Sequence, residues 1–200
     1  MNISATDVKA LRDKTGAGFM ECKSALAEAD GDAEQAITIL RKRGLTKAAK
    51  RAGRSTEQGV VGSYIHTGGK VGVLIEVNCE TDFVARTDDF QELVKELAMH
   101  VAATNPQYIR REDVPAATVE HEKEIFRSQL EGQKKPAHVI DKILEGKLEG
   151  YYRDTVLLDQ PSIRDSKITI NQLVATTIAK MGENVTISRF ARFKIGEGST

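Results

Sequence analysis

The sequence predicts an α+β protein: a helical N-terminal module, then a small antiparallel sheet with packed helices and a helical excursion. Three observations predict it. The first fifty residues hold three short helical patterns with capping residues between them. Residues 60–77 read as a hairpin turned on glycines and lead into a helix with an unbroken apolar stripe. The segment 184–195 alternates with the period of a strand.

Ser4 to Asp7 is a capping-box pattern, and Val8, Leu11 and Arg12 continue a helix that stops at Thr15-Gly16. Gly16-Ala17-Gly18 makes a tight corner. A second helix is expected from about 19 to 29, with Cys22, Ala25, Leu26 and Ala29 on one face. Asp30-Gly31-Asp32 breaks it. Asp32 with Gln35 caps a third helix that carries Ala36, Ile37 and Leu40 toward an end at Gly44. Three such helices bury little surface, which suits docking better than catalysis. The basic stretch 41–54 and Arg54-Ser-Thr-Glu-Gln-Gly59 then read as a linker.

Val60, Val61, Tyr64 and Ile65 form a strand, with a turn at Thr67-Gly68-Gly69 and a return strand from Lys70 to Val77. Val73, Leu74, Ile75 and Val77 make a β-branched run of buried-strand character. The following stripe is Phe90, Leu93, Val94, Leu97, Ala98 and Val101, on a helix capped by Thr87 or Asp88. Between strand and helix lies Thr81-Asp82-Phe83, a large ring beside a carboxylate at a corner. Phe83 is either a staple tucked under its own helix or a wedge offered to a partner.

Asn105-Pro106 and Asp113-Val-Pro115 punctuate a loop before two charged helices, about 117–132 and 136–152. Val139, Ile140, Ile143, Leu144 and Leu148 give the second its apolar face, and residues 155–158 with Gln160-Pro161 read as an edge segment. A helix over 170–181 precedes the last strand, in which Val185, Ile187, Arg189, Ala191 and Phe193 alternate with Thr186, Ser188, Phe190, Arg192 and Lys194. The domain division expected is a docking module over 1–54 and an α+β core over 55–200 that includes the excursion at about 117–153.

At 40% hydrophobic and 29% charged residues, the chain has apolar material for a core. Its formal charge balances, so composition makes no general case for nucleic acid or membranes. The charge is uneven, however. Seven of the 29 basic residues fall within 41–54 with no acid, leaving the rest of the chain at a net −7. That run is either a solvated helix end or linker, or a contact for RNA or an acidic protein. Cys22 and Cys79 are unclustered and read as buried thiols in a reducing compartment. With no secretory leader and no apolar run long enough to cross a bilayer, a cytoplasmic protein is expected.

Enzyme chemistry is missing. Gly68-Gly69-Lys70 lacks the earlier glycine of a phosphate loop, and Val71 stands where Ser or Thr should bind magnesium. Gly16-Ala-Gly18 fails the dinucleotide pattern at Glu21. His66, His100, His121 and His138 are scattered, none at metal-ligand spacing on one element, and read as surface or half-buried residues. No catalytic group, metal or cofactor is expected. A binding protein is the better reading.

Four blocks of residues then carry a resemblance. They are Val8-Lys-Ala-Leu-Arg-Asp-Lys-Thr-Gly-Ala-Gly-Phe-Met-Glu-Cys-Lys-Ser-Ala-Leu26; Gly31-Asp with Ala36-Ile37; Val77-Asn-Cys-Glu-Thr-Asp-Phe-Val-Ala-Arg86; and Met181-Gly-Glu-Asn-Val with Arg189-Phe-Ala-Arg-Phe-Lys-Ile-Gly-Glu-Gly198. In order and spacing they resemble bacterial elongation factor Ts over essentially the whole chain. The resemblance implies a guanine-nucleotide exchange factor for elongation factor Tu in translation elongation, one that holds no nucleotide and does no covalent chemistry. It likens the first module to a ubiquitin-associated-type domain docking on the partner's GTPase domain, with Lys9, Arg12, Phe19, Met20 and Lys23 as contacts. Without the family, Phe19 and Met20 could equally be core residues of that module.

The resemblance also implies that Thr81, Asp82, Phe83 and Val84 enter the partner near its Mg²⁺ and phosphate site and dislodge the metal. His66, within Ser63-Tyr-Ile-His66, and Met181 and Gly182 are further implied contacts. Longer family members repeat the core unit, whereas this chain shows one copy, between about 60 and 103. A single half-core leaves an apolar sheet surface or edge uncovered, so a homodimer that binds two partner molecules is expected. Neither nucleic acid nor a membrane is required. The rival reading is an RNA- or ribosome-binding accessory protein that uses the basic stretch.

Overall fold

Side-chain caps set several of the helix starts. The computed structural model describes residues 3–130 and 136–197. The expected helix end at Gly132 and the glycine at 198 lie outside them. Among the described residues are eight α-helices and three strands: α1 (Ala5–Thr15), α2 (Phe19–Glu28), α3 (Ala33–Ala49), β1 (Gln58–Ile65), β2 (Val71–Cys79), α4 (Asp82–Ala85), α5 (Asp88–Thr104), α6 (Ala116–Ser128), α7 (Ala137–Thr155), α8 (Ile170–Met181) and β3 (Val185–Lys194). The strands form one antiparallel sheet in the order β1-β2-β3, so β2 is central and its neighbours are edges. The fold is α+β, as predicted. It divides into two compact units, the described residues within 1–62, 75–96 and 171–188, and those within 63–74, 97–170 and 189–200.

In the first unit, Ser4 Oγ accepts from Asp7 N–H to start α1, and Gly16 ends it in the left-handed region at φ 66°. Asp32 caps α3 through the N–H groups of Glu34 and Gln35. Val8, Leu11, Cys22, Ala25, Leu26, Ala29 and Ala36 close into one small buried cluster, with Ile37 and Leu40 partly buried against it. The helix face read from sequence is therefore the core face.

Two expectations fail here. Gly44 does not end α3, which runs on to Ala49 and takes in much of the basic run. A glycine is a weak helix breaker, and tertiary packing overrides it. Gly44 is buried where α3 meets α8: a Cβ there would lie 3.8 Å from the Ala175 carbonyl and from Ala179 Cβ. Only the residues after α3 are left to act as a linker.

The same unit holds Ile75 and Val77 of β2, Phe90, Leu93 and Val94 of α5, Val174, Ala175 and Ile178 of α8, and Val185 and Ile187 of β3, all buried. The run 73–77 is not buried throughout, because Leu74 is 50% exposed. β2 alternates, with Val73, Ile75, Val77 and Cys79 buried and the residues between them less so. Gly62 shows how tightly α5 fits, since a Cβ on it would come within 2.2 Å of Val94 Cγ1.

In the second unit, Val73, Leu97, Ala98, Val101, Val156, Leu157 and Ile170 are buried. The segment expected as an edge is interior instead. Val156 and Leu157 are fully buried, Val156 makes a lone parallel bridge to Tyr108, and a 3-10 turn follows at Leu157–Asp159. A short apolar run does not separate these cases by periodicity. Arg111 forks to Glu149 at 2.7 Å and Asp159 at 2.9 Å and lies over the Tyr152 ring. In β3 the odd-numbered side is buried at Val185 and Ile187 but exposed from Arg189 onward, ending with Phe193 at 68%.

His100 overturns the reading of the histidines as surface or half-buried residues, because it is fully buried on α5. Nε2 lies 2.8 Å from Gln160 Oε1, which also accepts from Thr104 Oγ1, while Gln160 Nε2 donates to the Asp154 carbonyl. That pattern makes Nε2 the protonated nitrogen and leaves Nδ1 as a buried acceptor without a donor among the described residues. Burial pushes the imidazole below its ordinary value, against the hydrogen bond to Gln160.

Two measurements follow from this packing. Gly62→Ala should lower urea-unfolding stability by about 1–3 kcal/mol through overpacking, and Val94→Ala in that background should recover part of the loss. Because His100 is harder to protonate folded than unfolded, its stabilising contribution is complete above about pH 6.5 and declines as pH falls toward the folded value. Wild type should lose up to about 1.4 kcal/mol per pH unit there, relative to His100→Gln measured over the same range.

Candidate functional site

The strand-to-helix corner after β2 is built from polar groups that leave one ring outside. Cys79 is buried, and burial, then the Glu183 carboxylate, pushes its thiol up, so it stays protonated and donates to the Thr81 carbonyl at 3.1 Å. Thr81 caps α4 by accepting from Val84 N–H. Its own N–H donates to Glu183 Oε2 at 3.0 Å and its hydroxyl to Glu183 Oε1 at 2.7 Å. Glu80 accepts from Asn184 N–H at 2.6 Å and from Arg54, and the Asn184 amide donates to the Arg54 carbonyl. The corner is thus bonded on several sides to the turn between α8 and β3.

Against that frame Phe83 stands 78% exposed. The staple reading fails, since α4 is a separate single turn whose only fully buried residue is Ala85. Phe90 fills the interior position instead. Val84 is partly buried behind the ring. Asp82 pairs with Arg86 one turn on, both side chains substantially exposed.

Met181 and Gly182 lie at the end of α8 in the same unit. Thr87 Oγ1 lies 3.9 Å from Met181 Sδ, and Arg51 Nε donates to the Gly182 carbonyl at 2.8 Å. The structure therefore joins the Met181-Gly182 turn to the Thr81-Phe83 corner. The glycine corner of the helical module comes close to this turn as well, with a Cβ at Gly16 placed 3.3 Å from the Lys180 side chain.

Phe19 and Met20 open α2 just beyond that corner, 46% and 70% exposed. The reading of these two as core residues fails, because small residues of α2 and Leu26 fill the interior. Lys9 and Arg12 on α1 and Lys23 on α2 are exposed. Glu21 is paired with Lys47, whose ammonium holds its carboxyl below the usual range. His66, beyond the end of β1 in the second unit, is exposed with Nδ1 3.0 Å from Tyr64 Oη.

The basic run is largely engaged inside the molecule. Arg43 binds Glu28 at 2.7 Å, Lys47 binds Glu21, Arg51 binds the Gly182 carbonyl, and Arg54 reaches Glu80. Among the described residues no group of three or more His, Cys, Asp or Glu is placed to hold a metal ion. None of their helices is long and apolar enough to cross a membrane.

The acid supporting the corner, Glu183, carries no local signal of that role. It sits inside Met181-Gly-Glu-Asn, but nothing in a single sequence tells which segment a turn carboxylate faces across 102 residues.

Known proteins resemble this chain. A family model described as "Elongation factor TS" matches residues 33–197. The "Elongation factor Ts" of Fervidobacterium nodosum is 59% identical over 197 residues, covering 98% of this chain and 100% of its own length. That of Koribacter versatilis is 57% identical over 197 residues, covering 98% and 90%. That of Caldanaerobacter subterraneus subsp. tengcongensis is 57% identical over 196 residues, covering 98% of each. The family model begins after α2, and the pairwise likenesses continue through the helical module. With the match spanning both the sheet and the exposed corner, the chain belongs to the elongation factor Ts family.

Proposed function

We propose that this protein is the guanine-nucleotide exchange factor for elongation factor Tu, acting by non-covalent displacement. The observation that carries the reading is Phe83, a large ring held in water on a corner bonded from several sides. Leaving such a ring exposed forgoes burial worth about 1.5–3 kcal/mol, which a partner can recover. In this reading Thr81, Asp82, Phe83 and Val84 enter the partner's GTPase domain beside its Mg²⁺ and phosphate site. Phe83 separates the elements that hold the metal, and Asp82 exchanges its bond to Arg86 for bonds to the shifted partner. Without the cation the GDP phosphates are less neutralised and affinity falls.

Magnitudes require more than one anchor. A thousandfold loss of nucleotide affinity needs about 4 kcal/mol of coupling. One ring supplies less than that. Residues 1–54 are proposed as the docking module that adds the rest, through Phe19 and Met20 as apolar anchors ringed by Lys9, Arg12 and Lys23. Residues 55–200 form the core that carries the corner, with Met181, Gly182 and His66 as further contacts. Since coupling is reciprocal, GDP rebinding expels the factor by the same free energy. RNA binding through 41–54 is the weaker reading, because Arg43, Lys47, Arg51 and Arg54 already have intramolecular partners.

Pairing of two chains belongs to the same proposal. Ile65, Leu74, Phe193 and Ile195, each at least 50% exposed, line one open concavity of the second unit. An apolar surface of this kind is what the missing second core repeat would cover. A homodimer covers it, and each chain keeps its own Phe83 for a partner molecule.

The exchange reading is checked by release of a fluorescent GDP analogue from elongation factor Tu. Wild type should accelerate release, Phe83→Ala should reduce the acceleration by about tenfold or more, and Met20→Asp should raise the concentration needed for half-maximal effect. No acceleration by wild type would sink it. Sedimentation should give twice the chain mass at micromolar concentration, and Ile65→Asp with Phe193→Asp should return the monomer mass.

A further inference from the structure

Glu183 takes no part in any contact implied for the partner, yet both of its carboxylate oxygens are bound to one residue of the corner. Oε2 accepts the Thr81 N–H at 3.0 Å and Oε1 the Thr81 hydroxyl at 2.7 Å. The other polar atoms of Thr81 are also engaged. Its carbonyl accepts from Cys79 Sγ at 3.1 Å and from Ala85 N–H at 3.2 Å, and its hydroxyl oxygen accepts from Val84 N–H. Thr81 is the residue from which α4 departs, so the direction of Phe83 follows from how Thr81 is held.

We propose that Glu183 is a positioning residue for nucleotide exchange: by gripping Thr81 through both oxygens it sets the angle at which Phe83 is presented. This role rests on the exchange reading above. Bonds to an ionised acceptor are roughly twice as strong as neutral ones, and a two-point grip fixes orientation as well as distance. The bond crosses between distant parts of the sequence, from the β2–α4 corner to the α8–β3 turn, and both belong to the same compact unit. An anchor between two turns removes the hinge that a four-residue helix would otherwise provide. A wedge that reaches the partner at a wrong angle still docks but opens the nucleotide site less often.

The chemistry of the substitutions separates positioning from bulk stability. Glu183→Gln keeps size but removes the charge: its one oxygen can accept the Thr81 N–H and its amide must then donate to the Thr81 hydroxyl oxygen, so both bonds lose their charge assistance. Thr81→Val removes the hydroxyl from the other side.

The test titrates full-length variants against elongation factor Tu loaded with a fluorescent GDP analogue, well below the melting temperature. It resolves the maximal release rate from the half-saturating concentration. Amide hydrogen exchange at Thr81 is followed in parallel on the free proteins. For Glu183→Gln the expected result is a maximal rate lowered roughly tenfold, about one charge-assisted hydrogen bond, with half-saturation within twofold of wild type. Protection of the Thr81 amide should fall. Thr81→Val should reproduce the loss of rate, and Glu183→Gln with Thr81→Val should be little worse than either alone.

A maximal rate within twofold of wild type, or a loss confined to half-saturation, would overturn the role. So would a fully additive double mutant. Failure of the exchange reading looks different: there the wild-type chain itself does not accelerate release, and the role falls with it.

Discussion

A helix of four residues cannot sustain itself, because nucleation fixes several dihedral angles for a single hydrogen bond. The shape of α4 is therefore imposed from outside, by the bonds that converge on Thr81 and by Ala85 buried beneath it. Everything that makes the corner useful depends on that imposed shape. A ring on a loose loop would fold back onto the nearest apolar surface. Held from behind by Glu183, Cys79 and the Val84 cap, Phe83 stays in water.

The same logic runs through the helical module. Its interior is made of small residues, Cys22, Ala25, Ala29 and Ala36, with Val8, Leu11 and Leu26 among them. Close-packed small side chains bring the helices near each other but leave no room for Phe19 or Met20. Their exposure is a consequence of how the interior is filled. Extension of α3 past Gly44 adds a second function, since the helix then meets α8 and its basic residues reach acids and carbonyls of the same unit.

Periodicity made much of this legible. The stripes of α2 and α5, the caps Ser4, Asp32 and Thr87, and the hairpin at Gly68-Gly69 are local signals, and local physics decided them. What stayed hidden depends on distant partners. Gly44 passes through a helix because α8 lies against it. Leu157 is interior because it follows a lone bridge to Tyr108. His100 can be buried because Gln160, sixty residues away, accepts a hydrogen bond from its Nε2–H. At the site, the residue types Asp82 and Phe83 could be read from the chain. The exposure that rules out the staple could not, and nor could the carboxylate behind it.

The pair between Asp82 and Arg86 has a consequence for how the corner travels toward another molecule. A lone carboxylate at the tip would be repelled by any surface dense in phosphate from within about a Debye length, roughly 8 Å at physiological salt. With the guanidinium one turn away, the tip is a compact dipole whose field dies off faster than that of a bare charge. The pair itself adds little repulsion toward an anionic surface. Asp82 should thus add little to the ionic-strength dependence of the final approach, with electrostatic guidance left to charged side chains elsewhere on the chain.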